Sequence, residues 1–258
     1  MPLFIRSGAL MARGERGRSL SRFAFRVLMS FTFAAVLLGG SARAGDPWEF
    51  WPELNLYKGL GPTKRLYFVT AYATGKESEF TTLDVAGYFD MTFRPLARDL
   101  LRREDWRTEQ DWRKKRYLWL RIGYDHVFKQ EGEAKSTPED RGILAFHGRV
   151  YLPSEILLEL RARADLRWIG GEYSTRYRLR GELNRDFKVL GTVANVFLQA
   201  ECFYDTRYDG WARDLYQLGS EIIVTEHFRL EPSVARQVDR LPEESGLYAF
   251  AIVARWYY

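Results

Sequence analysis

Arginines recur at every second position in two neighbouring stretches of this 258-residue chain. "ELRARADLRW" (159–168) carries Arg161, Arg163 and Arg167, with Glu159 and Asp165 in the same phase. "YSTRYRLRGEL" (173–183) carries Arg176, Arg178 and Arg180, followed by Glu182. A guanidinium is always charged and presents five donors in a planar fork. Aligned guanidiniums therefore suit three tasks: neutralising nucleic-acid phosphates, pairing with carboxylates, or lining a path for anions. The intervening positions discriminate among these. Leu158, Leu160, Ala162, Ala164, Leu166 and Trp168 alternate with the first set, and Tyr177, Leu179 and Leu183 with the second. Such a face must be buried or must meet lipid.

Other polar residues fall into the same phase and are candidates to share this inner face. They are Arg121 and Asp125 in "YLWLRIGYDHVF" (117–128), Arg149, Glu201 with Gln199, and Glu221 with Gln217. In the antiparallel pairing of 155–168 with 174–183, a register that sets Asp165 near Arg178 and Arg161 near Glu182 satisfies part of the charge, and a slip by two residues would re-pair them. Two outcomes remain open for this charged face. It forms an internal ladder of ion pairs that closes the interior, or it lines a narrow path whose electropositive wall favours small anionic solutes.

Covalent and metal chemistry is poorly represented. His126 falls on the apolar side of its strand, where lipid chemistry is conceivable, but Phe128 stands two residues on where a serine would be needed. His147 lies on the inner phase between Ala145 and Arg149, and His227 sits in a turn. No Gly-x-Ser-x-Gly, His-Glu-x-x-His, paired-cysteine or phosphate-loop motif is present. The single cysteine, Cys202, offers neither a disulfide framework nor a metal cluster. Asp205 and Asp209 in "FYDTRYDGW" are either cation ligands at a rim or loop-packing groups. No catalytic residue, metal or cofactor is expected.

The formal charge of +5 suggests nucleic acid until the N-terminus is read. Residues 1–26 are arginine-rich, an apolar run "VLMSFTFAAVLLGG" (27–40) follows, and Ala42-x-Ala44 offers a small-residue cleavage site. This is the pattern of a secretory signal peptide over 1–44, leaving 45–258 as one domain. Residues 1–44 hold seven arginines and one glutamate of the chain's 39 basic and 34 acidic residues, so the remainder holds 32 and 33, a net charge of −1. The basic excess belongs to the export signal, which removes the case for nucleic acid.

The elements that position the charged residues are strands. From about residue 63 onward, long segments alternate with period two and are separated by short turns such as "LPSE", "IGGE" and "RLPEES". The one break, 95–115, is charged and loosely helical. Strands of ten or more residues, apolar on one face and of mixed charge on the other, fit a transmembrane antiparallel up-and-down β-barrel. The last strand places Phe250, Ile252, Trp256 and the terminal Tyr258 on one face. That pattern resembles the signal read by the barrel-assembly machinery when bacterial outer-membrane proteins insert. Placing Tyr258 at the periplasmic end makes the "IGGE" and "RLPEES" turns extracellular. Ten strands are counted from Thr63. "WPELNLYKGL" (51–60) makes an eleventh, which breaks the usual even parity, so the expectation is ten strands with 51–60 outside the wall, or twelve.

Four segments, "RYLWLRIGY" (116–124), "DLRWIGGEYSTRYRLR" (165–180), "FYDTRYDGW" (203–211) and "FRLEPSVARQVD" (228–239), resemble an uncharacterised family of Gram-negative outer-membrane barrels, a domain of unknown function. The resemblance implies a location in the cell outer membrane, with lipids as partners, and carries no activity or catalytic residue. The expected role is thus an all-β outer-membrane barrel, either a narrow channel or transporter, or a structural or lipid-modifying barrel closed by salt bridges.

Overall fold

The computed structural model describes residues 46–61, 63–75, 80–93, 118–131, 137–189, 192–242 and 245–258. The expected signal peptide (1–44) and the 95–115 connector lie outside them. The strands are β1 (Trp48–Gly59), β2 (Lys64–Gly75), β3 (Phe80–Phe93), β4 (Leu118–Glu131), β5 (Glu139–Leu152), β6 (Ile156–Ile169), β7 (Glu172–Val189), β8 (Thr192–Asp205), β9 (Gly210–Ile223), β10 (Phe228–Asp239) and β11 (Ser245–Tyr257). A short 3-10 turn, Pro153–Glu155, joins β5 to β6.

Each strand pairs antiparallel with its neighbour in sequence, and β1 closes the barrel by pairing with β11 in parallel. Residues 51–59 are therefore part of the wall, which has eleven strands among the described residues. This corrects both the ten-strand and the twelve-strand expectation. In an up-and-down barrel with an odd number of strands, the first and last run the same way, so they can close only in parallel. Trp48 stands opposite Tyr248 and Tyr57 opposite Tyr257, which puts the start of β1 and the end of β11 at opposite rims.

Turn chemistry sets the registers. Between β6 and β7, Gly170 and Gly171 both have positive φ (60° and 90°), as a two-residue hairpin turn requires. The turn makes Ile169 and Glu172 partners, which sets Asp165 opposite Arg176, Arg163 opposite Arg178, Arg161 opposite Arg180 and Glu159 opposite Glu182. The register is thus the one slipped by two residues from the charge-matched pairing. The backbone demand of the Gly-Gly turn overrides cross-strand charge pairing.

The polarity of the barrel is inverted relative to a water-soluble protein. Leu160 and Leu179 on the outer face are each 52% exposed, whereas Asp165 on the inner face is fully buried. Inside, Tyr257, Tyr57, Tyr67 and Tyr88 form a row across β11, β1, β2 and β3, with ring centroids 4.7, 4.5 and 5.2 Å apart. The first of these stacks bridges the parallel seam and adds ring contact to its backbone pairing. The row ends at Gly123, opposite Tyr88 on β4, where a Cβ would fall 2.3 Å from Tyr88 Cδ1 and 2.5 Å from the Gly87 carbonyl oxygen.

Candidate functional site

A cavity of about 400 Å³ runs along the barrel axis and is lined by residues from all eleven strands. It reaches from Trp51 and Thr82, towards the rim where β11 begins, to Glu182 and Tyr257, towards the opposite rim. Alternation along each strand delivers the lining residues. Arg121, Asp125, Arg149, Glu159, Arg161, Arg163, Arg178, Arg180, Glu182 and Glu201 all contribute to it. Asp165, Arg167, Arg176 and Glu221 lie in ion pairs within the same interior.

Three groups of charges succeed one another down the lumen. Nearest the β6–β7 turn, Glu139 accepts from Arg141 Nε at 2.7 Å and from Arg167. Arg141 also reaches Asp125 at 3.1 Å and Asp84 at 3.5 Å, while Arg167 and Arg207 share Asp205 at 2.5 and 3.1 Å. Here four carboxylates meet three arginines. In the middle, Asp165 takes Arg163, Arg176 at 3.1 Å and Arg178 at 3.8 Å, and Glu201 takes Arg161 at 2.6 Å and Arg178 at 2.8 Å. Here two carboxylates meet four arginines, an excess of two positive charges. Farther down, Glu159 holds Arg149 (2.8 Å) and Arg180 (3.1 Å), with Glu182 3.6 Å from Arg180.

The β6–β7 register sets Asp165 opposite Arg176, and these two pair directly. It also sets arginine opposite arginine at 161/180 and 163/178 and glutamate opposite glutamate at 159/182, so other pairs form along a strand, on a diagonal or across two strands. Arg163 pairs with Asp165 on its own strand, and Arg161 crosses β7 to reach Glu201 on β8. A carboxylate shared by two or three guanidiniums is the arrangement that offsets the desolvation of buried charges. Glu201 and Asp125, two of the acids considered as partners, accept arginines, and Gln199 accepts Arg180. Glu221 instead serves Arg229 and Arg255, at 2.9 and 2.6 Å.

Several contributors went unnoticed in the sequence. Asp90 binds Arg65 (2.6 Å) and Arg121 (2.7 Å), holding both guanidiniums against the tyrosine row. Arg255 also pairs with Glu231, at 2.6 Å. Extending the period-two phase through 64–74, 80–94, 228–238 and 246–258 finds each of these residues. Glu139 and Arg141 are found the same way, one strand earlier than the arginine pair.

The histidines occupy three different settings. His126 faces outward, with Nδ1 2.7 Å from Asp140 Oδ1, and the Tyr124 hydroxyl donates to the same carboxylate. Val85 stands opposite His126 on β3, so that position supplies no hydroxyl nucleophile either. His147 is inside, stacked on Trp119 at 4.4 Å and 3.8 Å from the Glu159 carboxylate. His227 lies in the β9–β10 turn beside the Tyr257 carbonyl oxygen, at 3.0 Å. Asp205 and Asp209 each have partners of their own. Asp205 is held by arginines, and Asp209 accepts the Tyr204 hydroxyl at 2.5 Å. Of the C-terminal set, Trp256 and Tyr258 are exposed on the outer face, while Phe250 packs against Leu218 and Val234.

No protein-family model matches the chain, and no curated protein matches it.

Proposed function

We propose that this chain is an integral outer-membrane barrel of a Gram-negative bacterium whose lumen is a narrow path for small anions. The membrane part is supported by the apolar outer face, by strands of 12 to 18 residues where about 9–11 suffice to span, and by the signal-like N-terminus. The aromatic C-terminal strand and the resemblance to outer-membrane barrels point the same way. The observation that carries the path is the middle group, where four arginines face two carboxylates beside a cavity running along the axis. A cavity of about 400 Å³ has room for on the order of twenty waters, so only small solutes fit. Successive arginines on β6 and β7 are spaced about 7 Å apart, which gives an anion stepwise sites rather than one trap.

In planar bilayers under a potassium chloride gradient, the purified protein is expected to conduct with a reversal potential displaced towards chloride. Cation selectivity would contradict the proposal. An absence of conductance would favour a second reading, a barrel closed by its own ion pairs, which is motivated by the sharing of Asp165, Glu201, Glu139 and Glu159 among several arginines each.

The parallel seam makes a separate prediction about topology. With Tyr258 periplasmic, an epitope inserted before Asp46 is expected to bind antibody on intact cells. One placed after Tyr258 should do so only after permeabilisation. Accessibility of both epitopes from one side would rule out the eleven-strand closure in the membrane.

A further inference from the structure

We infer that the middle of the lumen is a binding site for a free, doubly charged oxoanion of the sulfate or phosphate class. This rests on the proposed reading of the interior as an anion path, and it names the solute class that the path selects. The charge count comes first. Arg161, Arg163, Arg176 and Arg178 are served by Asp165 and Glu201, which leaves two positive charges among largely buried side chains. Arg161 reaches Glu201 at 2.6 Å, and Arg178 shares that carboxylate at 2.8 Å. Such an excess is costly inside a protein and favours a compensating anion of matching charge.

Donor chemistry comes second. Arg161 Nε, Arg149 Nη1 and Trp119 Nε1 are buried N–H groups without a hydrogen-bond acceptor among the described residues, and all three side chains border the same cavity. They adjoin one another at the lower edge of the middle group, to which Arg161 belongs, with Arg149 and Trp119 bordering it from the group below. Arg149 lies over the Trp119 ring at 4.6 Å, Trp119 stacks on His147, and His147 stands opposite Arg161 across β5 and β6. Guanidinium forks match the paired oxygens of an oxoanion, and a spherical halide satisfies only one donor direction of each fork. The site lies within the lumen, so a dissolved ion reaches it and a lipid headgroup does not.

The test is calorimetric titration of the detergent-solubilised barrel with sulfate, phosphate and chloride at constant ionic strength. Saturable binding of about one sulfate or phosphate per chain is expected, with chloride binding markedly weaker. Arg161→Gln should weaken sulfate binding about tenfold or more, since it removes a charge-assisted donor pair. Arg161→Lys keeps the charge without the fork and should fall between the two. Arg213→Gln, at the Asp239 pair outside this group, should leave binding unchanged. Variants that still fold are identified by a gel mobility that changes on boiling, the behaviour expected of a membrane barrel.

Equal affinity for chloride and sulfate, or sulfate binding that is indifferent to folded Arg161→Gln, overturns the site. Sulfate binding without conductance keeps the site and removes the path. Chloride conductance without sulfate binding does the reverse.

Discussion

Gly123→Ala is expected to be the most disruptive single-methyl change in the barrel wall. The added Cβ would fall 2.3 Å from Tyr88 Cδ1 and 2.5 Å from the Gly87 carbonyl oxygen. The ring is the last of four stacked tyrosines, so swinging it aside disturbs Tyr67, Tyr57 and the β1–β11 seam. The carbonyl oxygen belongs to the backbone pairing of β3 with β4, so relief there strains the sheet itself. Overpacking ordinarily costs about 1–3 kcal/mol, and an obstruction made partly of backbone belongs at the upper end, about 3 kcal/mol. The measurement is the urea midpoint of folded, reconstituted protein. Gly142→Ala is the comparison, because its Cβ would meet Leu166 at 3.7 Å and Trp168 at 3.8 Å, both ordinary contacts. Equal midpoints for the two variants would refute the role of Gly123 as the seat of the tyrosine row.

Asp165→Asn carries the second large effect, through charge rather than shape. The fully buried carboxylate is shared by Arg163, Arg176 and Arg178. Asparagine preserves the volume and removes the charge, raising the middle excess from two positive charges to three. Removing one partner from a buried ionic cluster costs about 3–5 kcal/mol, and access of water to the lumen places this case near the lower figure. Asp239→Asn makes the contrast. Its partner Arg213 is 38% exposed, so screening by solvent limits that loss to about 1 kcal/mol or less. Added sulfate should recover part of the Asp165→Asn loss and little of the Asp239→Asn loss, because only the first variant deepens the positive excess. Equal sensitivity of the two variants to sulfate would count against the charge account given for the lumen.

The candidate site was legible in the sequence to the extent that it depends on direction. Arg161, Arg163, Arg176 and Arg178 could be assigned to one face because side chains on a strand alternate strictly, whatever the strand is paired with. The same rule placed His126 outside and His147 inside. It also finds Asp90, Glu231 and Arg255 when carried along strands where the charges are sparse. What it cannot supply is a partner. Arg161 meets Glu201 from β8, and Arg121 meets Asp90 from β3. Those pairings depend on how far each strand slides along the next.

Sliding is governed by turns and closure, which are not properties of a single strand. Charge matching placed Asp165 beside Arg178, but two adjacent glycines with positive φ moved the pairing by two residues and set arginine opposite arginine. The excess of two positive charges in the middle of the lumen is a product of that register, since the same residues two positions out of step would pair differently. Strand number followed a similar course. The alternation in "WPELNLYKGL" announced a strand, and only the pairing of Trp48–Tyr57 with Tyr248–Tyr257 made it the eleventh stave of a closed wall. By itself, then, the sequence determined which side chains face inward, because alternation is local. Tertiary structure decided which of them meet, because register and closure depend on the turns and on every other strand in the ring.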